Sequence, residues 1–396
     1  MTLDADNLLI LGAGFSWNAG LPLASEFTRE LLNVRGLKLD GPSARQVASI
    51  RAFVASVFGE GASNDHDRWP ELEDIFTLVD LSANTGHHLG PSHSAADLRI
   101  VRRSVIVRMI RMLAQAYAHG RHKHDDNWTT LETFFKEFDT ATSAVLNMNW
   151  DTVFEQGIAR TQKINKVEYG CDAAPFRFDG GKLKQRKVAG EALTVLKPHG
   201  SVNWLYCDSC RYMFWLPPDQ TERVAQTLFR ASDWNAIGAA GLAPPRTLEP
   251  ECPRCGAKSL GTRFATFSYR KALDFPMHVT SWRTAESLLR GARHWIFFGY
   301  SMPPADFDFK HLLKRVQLSE RIRPTITVIT GGHDATATVE RFTKFFGDVA
   351  KERTFFKNGL DAKALKHLRR IGMLKSVPTS VPARPSVDVP RKKGRG

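Results

Sequence analysis

Apolar residues in this chain fall in short runs, and the runs end in small or polar residues. Four are clear: "LLILGAGFS" (8–16), "SAVLNMNWD" (143–151), "HWIFFGYS" (294–301) and "TITVITGG" (325–332). Short apolar, β-branched runs bounded by turn formers predict buried strands of a parallel sheet. "LTVLKPHGS" (193–201) predicts a fifth, shorter strand ending in a polar loop. Around these runs the spacing turns helical, at 22–34, 127–139, 305–317 and 337–349. Pro22 stands near the start of the first of these, where a missing N–H does no harm. The alternation predicts an α/β fold with a doubly wound, Rossmann-like parallel sheet.

Residues 40–125 break this rhythm and read as a helical insertion. Within it, "ADLRIVRRSVIVRMIRMLAQAYA" (96–118) sets Ile100, Val105, Ile106, Met109, Ile110 and Leu113 roughly at helical spacing. The expectation is an amphipathic helix packed on the core with its arginines in solvent. A binding role for those arginines is the alternative. No internal repeat is visible.

The chain has 396 residues, 42% of them hydrophobic, enough for a sizeable core. One domain over 1–376 is expected. No apolar run approaches the roughly 20 residues that cross a bilayer. "MTLDADN" lacks the basic region and long apolar segment of a signal peptide. A cytoplasmic protein without a membrane partner is therefore expected. The net charge of +14 is uneven: residues 351–396 hold thirteen Lys or Arg and three Asp or Glu, a net of +10. Residues 377–396, rich in Pro and Ser and basic at the end, predict a disordered tail. Its functional reading is contact with nucleic acid or an acidic partner, and its plain reading is a solvated tail.

Four of the five cysteines form two pairs, "CDSC" (Cys207, Cys210) and "CPRC" (Cys252, Cys255). Each pair suits a zinc knuckle, in which two thiolates chelate from one turn. The 41 residues between the pairs exceed the usual 15–20, so an insertion separates the knuckles. Four thiolates leave no open position, which predicts a structural Zn2+ in a small module over about 204–261. Free thiols or a redox pair are the alternatives. Cys171 stands alone. "GHHLGPSH" (86–93) and "HGRHKH" (119–124) are read as solvated loops.

The first run carries the candidate ligand chemistry. A phosphate-binding P-loop needs G-x-x-x-x-G-K-[ST]. Here five residues separate Gly14 from Gly20, and Leu21 stands in place of Lys. Gly12 and Gly14 fit the dinucleotide pattern G-x-G-x-x-G, but Trp17 occupies its third glycine. A strand that ends in two glycines before a helix can still bring backbone close to a pyrophosphate. A tight turn with no ligand is the alternative. Other predicted strand ends carry polar sets: Asn147, Asn149 and Asp151; His199 and Ser201; Gly299, Ser301 and Asp306. Ligands of open α/β sheets sit at that edge.

"GAGFSWNAGLP", "NMNWD", "KPHGS" and "FFGYSMPPAD" together resemble, in order and spacing, the motifs of the sirtuin-related SIR2-like family over most of residues 6–350. Sirtuin deacylases continue Asp-Phe-Arg after the first motif, where this chain has Leu23, Ala24 and Ser25. That departure, with the "GYSMPPAD" shape, is more similar to divergent bacterial SIR2-like proteins of antiviral defence, which hydrolyse NAD. The resemblance implies NAD+ as substrate and NADase activity. It implies Asn149 and His199 as catalytic residues. It implies Gly12, Ala13, Gly14, Phe15, Ser16, Gly20, Asn149, Asp151, Gly299, Ser301 and Asp306 as nucleotide-binding. A NAD-dependent protein deacylase and a non-catalytic nucleotide sensor are the alternatives. A homo-oligomer or an activating partner protein is expected, because an unregulated NADase is toxic to its own cell.

Overall fold

The computed structural model describes residues 5–32, 39, 41–59, 69–120, 126–239, 250–258, 260–262, 276–304, 306–319, 323–347 and 353–375. The expected tail lies outside them. The described strands are β1 (Asn7–Leu11), β2 (Ser143–Asn147), β3 (Lys166–Glu168), β4 (Ala173–Asp179), β5 (Lys182–Gln185), β6 (Ala192–Leu196), β7 (Trp204–Cys207), β8 (Met213–Trp215), β9 (Leu260–Gly261), β10 (His294–Phe298), β11 (Thr325–Ile329) and β12 (Arg353–Phe356). The described α-helices are α1 (Ala13–Trp17), α2 (Phe27–Leu32), α3 (Gly41–Phe58), α4 (Leu72–Thr85), α5 (Ala95–Gly120), α6 (Asp126–Glu137) and α7 (Val153–Gln162). They continue with α8 (Thr221–Leu228), α9 (Ala231–Ala236), α10 (Pro276–Gly291), α11 (Phe307–Ser319), α12 (Ala335–Phe346) and α13 (Ala362–Arg370).

Seven strands form one sheet in the order β12-β11-β10-β1-β2-β6-β3, and every pairing in it is parallel. The expected parallel α/β sheet is present. Leu11 pairs with Asn147 on one side and with Phe298 on the other. The three chains thus leave the sheet level with one another, and their following turns share one edge.

Side chains along these strands alternate between two cores. Leu8, Ile10, Ala144, Leu146, Trp295 and Phe297 face one core, which α10, α11 and α12 close. Leu9, Leu11, Val145, Val195, Ile296 and Phe298 face the other, closed by helices from the first half of the chain and by α13. Burial on both faces is why the strands read as unbroken apolar runs.

The expected insertion is mostly helical over its described parts, but of the arginines on α5 only Arg99 is exposed as expected, while Arg102, Arg103, Arg108 and Arg111 are half-buried or buried. Arg108 is 0% exposed and Arg111 is 7% exposed. Arg102 Nε donates to Asp80 at 2.6 Å, and Arg103 is bidentate on Asp233 at 2.6 and 3.1 Å. Arg111 binds Glu222 at 3.0 Å and reaches Ser43 and Gln46. The physical reason is tertiary packing, by α3 and α4 of the insertion itself and by the second half of the chain. Helices α8 and α9, which lie between the two cysteine pairs, pack on α5 and cover the face that amphipathicity assigned to water.

A second sheet, β5-β4-β8-β7-β9, was not expected. Its strands are short: β7 and β8 are buried but have only four and three residues, and β4 and β5 mix buried with exposed positions, so the strand signal is weak.

Candidate functional site

The turn after β1 packs backbone against backbone on the turn after β10. Gly12 N–H donates to Phe298 O at 3.1 Å, and Gly14 N–H donates to Gly299 O at 2.9 Å. Gly299 has φ +65°, and a Cβ there would stand 2.0 Å from Phe15 N. A Cβ on Gly12 would stand 2.5 Å from Gly299 O. The first two glycines and Gly299 are therefore required by the fold itself.

Phe15 is wholly buried, its ring edge-on to Phe298 at 5.1 Å and near Phe134, Phe135 and Phe154. Its side chain is a core anchor, which leaves only its backbone for contact with a ligand. Gly20 is occupied with α5, where an added Cβ would meet Gly120 Cα at 2.9 Å. Trp17, in the place of the third glycine, is 48% exposed.

Ser16 joins the glycine turn to the end of β2. Its hydroxyl donates to Asp151 Oδ2 at 2.8 Å and accepts from Asn149 Nδ2 at 3.1 Å. Asn149 Nδ2 also donates to Gly12 O at 2.9 Å. Both amide protons of Asn149 are used this way, so a ligand would meet this side chain through Oδ1. Asp151 is buried, and its other oxygen accepts from Val153 N–H at 2.9 Å at the start of α7. Asn147 accepts from Asn149 N–H through Oδ1, while its buried Nδ2 has no partner among the described residues.

The loop after β6 is stitched to the loop after β2. Successive groups of 197–202 donate to carbonyls of 148–151. Lys197 Nζ donates to Asp151 O, Val202 N–H donates to Trp150 O at 2.9 Å, and Ser201 Oγ reaches the same oxygen at 3.4 Å. His199 Nδ1 lies 3.2 Å from Met148 O. A carbonyl only accepts, so Nδ1 carries a hydrogen; whenever the ring is neutral, the lone pair is then on Nε2. His199 is buried, with Trp282 of α10 beside it at 6.2 Å between ring centres.

Beneath the loops lies a buried pair missed at the level of sequence. Lys197 Nζ stands 3.4 Å from Glu155 Oε1, and both side chains are fully inside. Burial pushes the Glu155 carboxyl up, against the pull of Lys197. The "K" of "KPHG" was visible, but nothing local pointed to Glu155 forty-two residues away.

On the β10 side, Asp306 is buried and accepts from Tyr300 OH at 2.9 Å. Burial first, and the Asp306 charge second, raise the Tyr300 phenol well above its ordinary value. Ser301 is exposed, and its carbonyl accepts from Arg341 Nε at 2.9 Å. The structure thus brings Gly12, Ser16, Asn149, Asp151, His199 and Gly299 into one bonded assembly at the sheet edge. Ser301 and Asp306 flank it in the loop that follows Gly299.

The four paired cysteines converge. Their sulfurs all lie within 4.8 Å of one another, with Cys207–Cys255 and Cys210–Cys252 each at 3.7 Å. A tetrahedron of four thiolates at about 2.3 Å from a metal puts its sulfurs about 3.8 Å apart. The two turns are also alike. In one, Arg211 N–H donates to Cys207 O and Cys207 N–H to Tyr212 O; in the other, Gly256 N–H donates to Cys252 O and Cys252 N–H to Ala257 O. Arg211 (φ +58°) and Gly256 (φ +74°) both adopt the left-handed conformation just after the second cysteine. Two equivalent knuckles facing each other are positioned to hold a metal ion. Among the described residues no other such group occurs, and His87 and His88 are exposed.

No helix among the described residues is long and apolar enough to cross a membrane. Compared with known proteins, the chain matches no family model and no curated protein.

Proposed function

We propose that the chain binds NAD+ at the carboxyl edge of the large sheet and hydrolyses its nicotinamide–ribose bond, with a SIR2-like fold and a structural Zn2+. The observation that carries this reading is the bonding that gathers His199, Asn149 and the glycine turn on one loop, 147–151, with His199 Nδ1 3.2 Å from Met148 O.

The chemistry asks little of a general acid. As water attacks ribose C1′, the C–N bond breaks and its electrons leave with nicotinamide, which departs neutral. The transition state is an oxocarbenium ion, so positioning and a base for the water proton are the main needs. His199 takes that proton. Asn149 Oδ1 accepts from the water or from a ribose hydroxyl. The products are nicotinamide, ADP-ribose and a proton. The four cysteines hold Zn2+ with no position left for substrate, so the metal shapes the module that covers α5. The role in antiviral defence, the cytoplasmic location and the need for an activating partner or homo-oligomer rest on the family resemblance.

One observation favours a second reading, a non-catalytic nucleotide sensor. The glycines are already explained by backbone packing, and both Asn149 amide protons are spent within the protein. Incubation with NAD+ alone, then with an added acetylated peptide, separates the readings. Nicotinamide and ADP-ribose released without peptide support hydrolysis. Release that requires peptide indicates a deacylase, and binding without release indicates a sensor.

A further inference from the structure

Helix α13 has one apolar side and one basic side. Ala364, Leu365 and Leu368 are buried against the core, while Lys363, Lys366 and Arg370 are exposed. At 100° per residue the three exposed cations fall within one stripe about 60° wide. The stripe runs about 10 Å along the axis, from the 1.5 Å rise per residue. Measured along the axis of a duplex, that is the rise of about three phosphates of one strand, at 3.4 Å each.

Two features separate this stripe from an ordinary solvated face. First, none of its cations is neutralised: among the described residues no carboxylate lies within ion-pair distance of Lys363, Lys366 or Arg370. By contrast Arg369, one residue away, is bidentate on Glu137 at 2.7 and 2.9 Å. Over 353–375 the one acidic residue is Asp361, whose carboxylate caps the helix by accepting from Ala364 N–H. Second, the helix dipole does not account for all of it. Cations stabilise the last turn of a helix, where Arg370 stands, but oppose the first turn, where Lys363 stands. Arg370 is also held in place, donating to His367 Nδ1 at 2.9 Å while His367 Nε2 bonds Thr327 Oγ1 at 2.9 Å. The following residues, 376–396, add five Lys or Arg against one Asp.

We infer that the outer face of α13 binds the sugar–phosphate backbone of duplex DNA, with Lys363, Lys366 and Arg370 as phosphate contacts. The contact is to backbone, so it carries charge and no sequence preference. It does not depend on the hydrolase reading.

The test uses the full chain and a fluorescent 20-base-pair duplex of arbitrary sequence, followed by anisotropy over a salt series. Binding at about 50 mM salt is expected, weakening steeply as salt rises. The triple variant K363E/K366E/R370E should bind at least ten-fold more weakly. The neutral triple K363Q/K366Q/R370Q should lower the slope of log affinity against log salt by about 3, at about 0.9 per phosphate contact. Both variants should unfold cooperatively with midpoints close to the wild-type value, because Lys363 and Lys366 are exposed and Arg370 gives up only its bond to His367. No duplex binding at 50 mM salt overturns the inference. So does an unchanged slope in the glutamine variant, which would assign binding to residues 376–396 alone. Tighter binding to an acidic peptide than to the duplex overturns it as well.

Discussion

Ser16 and Asp151, 135 residues apart, meet in a buried hydrogen bond of 2.8 Å that fastens the glycine turn to the loop of Asn149. The acceptor is a carboxylate sealed from water, so the bond belongs to the charge-assisted class. Ser16→Ala should destabilise the protein by about 1.5–3 kcal/mol, the range for a bond to a charged group. Ser16→Thr should recover part of this. Denaturant unfolding measures both. A neutral Ser16→Ala would mean the two loops are held by other contacts.

Gly299 should tolerate no side chain. An added Cβ meets Phe15 N at 2.0 Å in a left-handed backbone. Gly299→Ala should cost about 2–5 kcal/mol, from the conformational penalty and overpacking together. Gly180, also left-handed (φ +57°) but with open space around it, is the control: Gly180→Ala should show the conformational part alone. Comparable losses at the two sites would contradict the backbone packing described here.

The fold and the site were not equally legible. The β1, β2, β10 and β11 strands announced themselves because both their faces are buried, so Thr327 is the one polar residue between the ends of these strands. The second sheet gave no such signal: β8 has three residues, and in β4 buried and exposed positions mix. Asn149, Asp151 and His199 stood out as polar residues at strand ends. Their partners did not, because the Lys197–Glu155 and Ser16–Asp151 contacts are set by how strands line up, not by local spacing. The arginines of α5 misled for the same reason. A helix shows which face is polar, and only tertiary packing shows that Asp233 and Glu222 wait opposite it.

Metal content and thiol reactivity should move together. Purified protein should carry one zinc per chain, and chelation should expose Cys207, Cys210, Cys252 and Cys255 to alkylation while lowering the unfolding midpoint. Cys171 should stay unreactive at pH 8 in the folded protein. Burial, with Asp172 adding to it, pushes its thiol up to about 12, and only the thiolate reacts. Four newly reactive thiols after chelation support the site. Four that already react at full zinc occupancy would contradict it.

Tyr300 gives a pH dependence with a defined sign. Burial and Asp306 raise its folded pKa above the unfolded value. Its contribution is therefore fully present below the ordinary phenol range near 10 and is lost as pH rises through the higher folded value. Tyr300→Phe should lower stability at neutral pH by about 1–3 kcal/mol, because the buried Asp306 loses the hydroxyl donor of Tyr300. The gap to wild type should narrow at alkaline pH. A gap that widens there would reverse the assignment.

The central claim is that His199 accepts a proton at an NAD+ site. Nicotinamide release from NAD+ alone, compared between the wild type and a His199→Ala variant whose unfolding curve matches it, tests this most directly. Steady release by the wild type is expected, with a loss of at least 100-fold in the variant, the lower end for a general base. Full release by a folded His199→Ala protein would contradict it.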